Sequence, residues 1–123
     1  MTAFFRVQNE NGTGMYSSIT AEEHLYELDT KHPSTNLDTK LIEALGIDSF
    51  WDYPNCERFR FGFTSIEQTL HWIYQREWLA SLKEEGFALY EYDCPIFAGN
   101  TPAVADVSTM GRPAQIHDLT TLF

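Results

Sequence analysis

The chain has 123 residues, 43% of them hydrophobic and 15% aromatic. That is the content of one folded domain, because a disordered segment lacks the apolar surface needed to offset chain entropy. Eighteen Asp and Glu against eight Lys and Arg give a net charge of −10, which argues against direct binding to nucleic acid or an anionic membrane, since those surfaces are held by clustered Lys and Arg.

No apolar run approaches the roughly 18 residues of a membrane span. The opening MTAFFRVQNENG has no basic region followed by an apolar core, so it does not read as a secretory signal. Cys56 and Cys94 are too few for a disulfide framework and have no metal-type spacing. The expected location is the cytoplasm.

In chain order, residues 3–8 (AFFRVQ) are apolar and β-prone and run into the turn-rich NENGTG. This predicts a strand in which Arg6 emerges among apolar neighbours. Thr20 and Glu23 form a T-x-x-E capping box opening a helix over 21–29, with Leu25 and Leu28 inward, until His32-Pro33 stops it. Asp38 caps a second helix over 39–45, striped by Leu41, Ile42 and Leu45 and closed by Gly46.

Residues 58–63 (RFRFGF) alternate strictly, so Phe59, Phe61 and Phe63 share one face of a half-buried strand and Arg58 and Arg60 the other. Thr64 and Glu67 form the next capping box, followed by a helix over 65–75 with Ile66, Leu70 and Ile73 at helical spacing. A further helix over 77–85 carries Trp78, Leu79 and Leu82 and ends at Gly86. Residues 87–93 are again β-like, until Cys94-Pro95. Residues 98–113 read as loop with a short strand around 104–107, and residues 114–118 as a closing strand.

Such segregated elements predict an α+β fold: a single compact domain over 1–123 with a mixed or antiparallel sheet and three to four short helices. Trp72, Ile73 and Trp78 are expected in its core.

The charge is uneven. Residues 1–57 hold ten acidic side chains against three basic ones, residues 58–86 are balanced, and residues 87–123 hold four against one. An acidic half can steer a basic partner, and it also keeps a small protein soluble.

Few motifs carry chemistry. NENGTGMY lacks the G-x-G-x-x-G spacing of a dinucleotide site, and there is no phosphate-cradling P-loop. His24, His32, His71 and His117 match no metal-binding pattern, so no metal is expected. No G-x-S-x-G elbow or cysteine signature supports a nucleophilic triad. Three features stand out: Arg6 on the first strand, Thr64-Ser65 at a strand-to-helix junction, and Glu91 and Asp93 alternating with Tyr90 and Tyr92. Each also has a structural explanation: a snorkelling edge arginine, a helix cap, and the wet face of a strand.

Several segments together resemble a family of small uncharacterised phage and prophage proteins. They are FFRVQNENGTGMY, HPSTNLD, FGFTSIEQTLHWI and EGFALYEYDCP. This implies a phage accessory protein and brings no established activity. The element order is also loosely similar to the ADP-ribosyltransferase fold, in which a first-strand Arg or His contacts NAD, a strand ends in a Ser/Thr motif, and a late Glu activates the nicotinamide ribose. That resemblance implies NAD as cofactor, Arg6 in the first position, Thr64 and Ser65 in the second, and Glu91 or Gln115 in the third. A glutamine lacks the charge that stabilises an oxocarbenium-like centre, so the mapping also describes an inactive relative.

The leading functional expectation is an acidic phage accessory protein in the host cytoplasm. It would bind and inhibit a host protein, such as a nucleic-acid-binding component of CRISPR or another defence system, without a cofactor. DSFWDYPN is the candidate patch, with Asp48, Phe50, Trp51, Asp52 and Tyr53 as partner-binding residues. The alternatives are an NAD-dependent ADP-ribosyltransferase or its degenerate relative, and a phage structural component.

Overall fold

The structure is a computed structural model that describes residues 2–23, 39–50, 52–98 and 103–122. Its strands form two antiparallel sheets. The larger contains β1 (Thr2–Gln8), β3 (Ala88–Cys94) and β5 (Gln115–His117), in the order β1-β3-β5. The smaller pairs β2 (Phe59–Gly62) with β4 (Ala103–Asp106). Both halves of the α+β expectation hold, with every strand pair antiparallel and two sheets where one was expected.

The sheets meet at a fork. Beyond the end of β2, Phe63 exchanges backbone hydrogen bonds with Phe5 of β1, at 2.8 Å in one direction and 2.6 Å in the other. Gly62 makes this approach possible, because a Cβ there would lie 2.4 Å from the Phe5 carbonyl oxygen and 2.6 Å from the Phe4 ring. The chain therefore leaves β1 at Phe63 and diverges backwards along β2 into the second sheet. That divergence corrects the expected single apolar face of RFRFGF: Phe59 packs with Leu41, Phe50 and Val104, while Phe63 belongs to a separate core with Phe5.

Alternation along β1 distributes the layers. Phe5 and Val7 face the same side as Leu89 and pack against α4 (Ile66–Trp72), α5 (Arg76–Glu84) and the terminal 3₁₀ turn (Leu119–Thr121) through Ile73, Trp78, Leu79, Leu82 and Leu119. Trp72 is partly buried against the same core, so the three core residues expected from periodicity are in place. Phe4 faces the other side, where it meets Tyr92, Cys94, Ala103, Ala105 and Met110 between the two sheets. The outer face of the small sheet is covered by α2 (Thr39–Leu45) through Leu41, with Ile42 and Leu45 packed alongside.

The helix starts differ from the local capping signals by one or two residues. Ser65, not Thr64, caps α4: its Oγ accepts from the Gln68 amide at 3.0 Å, and Gln68 Oε1 accepts from the Thr64 amide at 2.7 Å. The cap therefore sits one residue later than in T-x-x-E: the extended backbone of Ser65 points its hydroxyl at that amide, and Gln68 reaches back to the residue before the cap.

Likewise α1 (Ile19–Glu23) begins before Thr20. Ser18 Oγ accepts from the Ala21 amide at 2.9 Å, while the Glu85 carboxylate reaches across from the end of α5 to accept from the Ile19 amide at 2.7 Å and the Thr20 amide at 3.0 Å. The remainder of the helix expected over 21–29, His32-Pro33 and Asp38 lie outside the described residues.

Two further one-turn elements share a pattern. Asp106 opens α6 (Val107–Met110), which falls where loop was expected, and Asp118 opens the 3₁₀ turn. Each Oδ1 accepts the amide and hydroxyl of the residue two ahead, Ser108 or Thr120. Each backbone carbonyl takes the hydroxyl three ahead, Thr109 or Thr121, at 2.7 Å. Both aspartates also hold a cation: Asp106 pairs with Arg58 at 2.9 Å and Asp118 with Lys83 at 2.6 Å. The short α3 (Asn55–Arg58) leads directly into β2.

Candidate functional site

The segment 48–53 lies between α2 and α3, and its residues divide between two roles. Phe50 is 2% exposed and meets Phe59 and Phe61 edge-on, with ring centroids 5.6 Å and 5.4 Å apart. It therefore anchors the segment in the core and is no surface contact, because burial against two rings far outweighs the gain available at a wet surface. Tyr53 is the opposite case at 79% exposed, and Asp48 and Asp52 are exposed as well. Trp51 lies outside the described residues. The backbone that presents Tyr53 is tied down on both sides: Asn55 Nδ2 donates to the Ser49 carbonyl at 2.9 Å, the Cys56 amide to the Asp52 carbonyl at 3.1 Å, and the Arg58 amide to the Pro54 carbonyl at 3.0 Å.

Arg6 occupies the fork between the sheets. Where β2 leaves β1, the Arg6 side chain takes over the bonding between them: Nη1 donates to the Phe61 carbonyl at 2.8 Å and Nη2 to the Gly12 carbonyl at 3.3 Å. Gly14 leaves room for it, since a Cβ there would lie 2.8 Å from Arg6 Nη2. The Nε of Arg6 is buried and has no hydrogen-bond partner. Burial, and then the positive charge of Arg60, push Arg6 down to about 10, with Tyr92 acting in the opposite direction, so the group stays cationic at neutral pH. Beside it, Gln8 Nε2 donates to the Tyr92 hydroxyl at 2.9 Å, and Tyr90 stacks near Tyr92.

Glu91, Gln115 and His117 come together on the helix-facing side. Glu91 sits opposite Phe5 on one neighbour and opposite Gln115 on the other, and its Oε1 lies 2.9 Å from His117 Nε2. Arg6, one residue after Phe5 and opposite Tyr90, projects from the other face of the sheet. Thr64 and Ser65 follow Phe63 at the fork, with Ser65 Oγ engaged in the cap and the Thr64 amide bonded to Gln68. The register thus unites Glu91 with Gln115 and sets both apart from Arg6 by the thickness of the sheet, so it does not gather the NAD-contacting set that the ADP-ribosyltransferase resemblance implied. Among the described residues no group of three or more His, Cys, Asp or Glu is placed to hold a metal, and no helix is long and apolar enough to cross a membrane.

Residues 1–108 match the model of the family described as Bacteriophage T4 Y00F protein. The chain belongs to that family. No curated protein and no solved structure matches it.

The Y00F protein match spans Arg6, the 48–53 segment, Thr64-Ser65 and Glu91, and stops before Gln115 and His117. The residues that carried the phage-protein resemblance have structural roles in this Y00F-family chain. Gly12 takes a positive φ of 83° in the turn after β1, Gly14 admits the Arg6 guanidinium, Gly62 admits β1 and Ser65 caps α4. Gly86 turns the chain with a φ of 93°, and Leu89 and Tyr92 fill the two opposite faces of β3.

Sequence reasoning missed Arg60 as a neighbour of Arg6 and His117 as the partner of Glu91. Both pairs cross strands distant in the chain, and no local spacing encodes them. Asp106 and Asp118 did have a legible signal, D-V-S-T and D-L-T-T, in which an aspartate precedes hydroxyls at the second and third positions.

Proposed function

We propose that this phage protein is an accessory protein that binds and inhibits a basic host protein through the segment 48–53, with Tyr53 as the anchor and Asp48 and Asp52 as its charged rim. The observation that carries the reading is the 79% exposure of Tyr53 on a segment pinned from beneath by Phe50. A large aromatic held in water by an ordered backbone loses little further entropy on docking, which is the property of an interface anchor. The flanking carboxylates, within a chain of net charge −10, favour a positively charged surface and speed encounter with it. A host protein that grips nucleic acid offers such a surface, and occupying it would block the nucleic acid. Defence nucleases of the CRISPR type fall in this class.

The test is capture from host lysate by tagged protein at low and moderate salt, followed by binding measurements on the recovered partner. Tyr53→Ala is expected to weaken the complex by tenfold or more, in line with the ~2 kcal/mol of a hot-spot residue, and to leave the fold intact. Asp48→Asn with Asp52→Asn is expected to slow association and reduce its salt dependence. Absence of a stoichiometric host complex, or a Tyr53→Ala protein that binds as the parent does, would overturn the reading.

A further inference from the structure

We propose that Arg6 and Arg60 together form a binding site for an oxyanion, a phosphate or a carboxylate group, at the margin of the space between the two sheets. The placement follows from register. Arg6 projects from the side of β1 that faces the small sheet, the side shared with Phe4, Tyr90 and Tyr92. On β2, Arg60 lies two residues before Gly62, whose missing side chain points at Phe4 and Phe5, so alternation turns Arg60 toward the same space. Its register partner Ala105 packs in the inter-sheet cluster with Phe4 and Tyr92. Two guanidinium groups from different sheets thus share one half-buried space and act on one another as like charges.

Their bonding leaves donors unspent. Arg6 uses Nη1 on the Phe61 carbonyl and Nη2 on the Gly12 carbonyl, and its Nε has no partner. The Nε and the adjoining Nη2 form the edge of a guanidinium that accepts a carboxylate or phosphate side-on. Arg60 uses Nη1 on the carbonyls of Glu57, at 2.8 Å, and Phe59, at 3.1 Å. The ion pairs found among the described residues are Arg58–Asp106, Lys83–Asp118 and His117–Glu91, and none of them includes Arg6 or Arg60.

This concentration of positive charge stands out in a chain of net charge −10. A like charge beside the buried Arg6 guanidinium is costly, and one anion between the two groups removes both the repulsion and the unmet donor. Backbone contacts alone explain why Arg6 holds the fork; they do not explain a second arginine facing it. The site lies apart from the 48–53 segment and stands independently of that reading.

The experiment is a titration of nitrogen-15 arginine-labelled full-length protein, following the Arg6 Nε–Hε resonance. Sodium phosphate and sodium acetate are added separately, against sodium chloride at equal ionic strength. The resonance is expected to move saturably with phosphate, with acetate or with both, and to stay in place with chloride. A response to phosphate alone assigns a phosphoryl ligand, and a response to acetate alone assigns a carboxylate; both support the site. Arg60→Gln keeps an N–H donor for the local carbonyls but removes the charge, and is expected to weaken the apparent affinity about tenfold. Arg60→Lys, which keeps the charge and loses the planar fork, replaces it if the glutamine variant does not fold. A resonance that phosphate and acetate move no further than chloride does, or an Arg60 variant that titrates as the parent does, would overturn the proposal.

Discussion

On the helix side of the β1-β3-β5 sheet, Phe5, Val7 and Leu89 meet Ile73, Trp78, Leu79, Leu82 and Leu119, all long or branched apolar side chains. On the opposite side, Phe4, Tyr92 and Cys94 meet Ala103 and Ala105, and Gly62 closes the approach. The first layer keeps backbone at side-chain distance, and the charged pair on its sheet is Glu91–His117. In the second layer small residues let two backbones come close, and peptide carbonyls such as that of Phe61 become partners for Arg6. Residue size in the covering layer therefore decides how a charged side chain on the sheet is satisfied. Under large cover Glu91 meets another side chain, His117, while small cover brings backbone carbonyls within reach of Arg6.

The largest expected effect tests that small-residue layer. Gly62→Ala would place a methyl against the Phe5 carbonyl and the Phe4 ring, neither free to move without parting the sheets, and is expected to destabilise by about 3 kcal/mol in urea unfolding. Gly14→Ala meets instead the far end of the Arg6 side chain, which can shift, and is expected to cost about 1 kcal/mol while displacing the Arg6 side-chain resonance. Equal costs at the two glycines would break the comparison.

A change of about 1 kcal/mol is expected on the helix side from Ser65→Ala, which removes the cap of α4, against a few tenths for Thr64→Ala. The reverse order would restore the T-x-x-E reading.

The smallest effect is in acid. Glu85 sits below its ordinary range: burial works against this, but hydrogen bonds from the Thr20 hydroxyl and the Ile19 and Thr20 amides outweigh it. Asp106 is lowered by Arg58 and by the Ser108 hydroxyl and amide. Asp118 is lowered to about 2 by Lys83 and by the Thr120 hydroxyl and amide. Folded values below unfolded ones mean that this stability is present above about pH 4 and is lost as pH falls through the folded values. The urea midpoint is therefore expected to fall between about pH 4 and pH 2, and Glu85→Gln to flatten that fall. Glu85 ties α1 to α5 and Asp118 follows β5, so hydrogen exchange in acid is expected to rise first around Ile19 and Leu119 on the helix side.

Much of the fold was legible because its signals are local. The β1 segment, the pair α4 and α5 with Ile73 and Trp78 turned inward, β3 and β5 all fall where alternation, helical spacing and Gly86 place them. The caps differ from the local signals by one residue at α4 and two at α1, Ser65 for Thr64 and Ser18 for Thr20, decided by which hydroxyl reaches the free amide. The candidate site was harder. Asp48, Asp52 and Tyr53 are on the surface as their types suggest, whereas Phe50, between them, is taken by Phe59 and Phe61 from nine and eleven residues away.

From its sequence alone, this protein's α+β class, the order of its strands and longer helices and its phage-family membership follow, because periodicity, turn chemistry and short motifs are properties of neighbouring residues. Tertiary structure decided that RFRFGF would split between two sheets and that Arg6 would bond the fork. It also set Glu91 on the opposite side with His117. Those outcomes depend on which strands pair and how closely their backbones approach, and Gly62, Ala103 and Ala105 exert that control only once they meet in space.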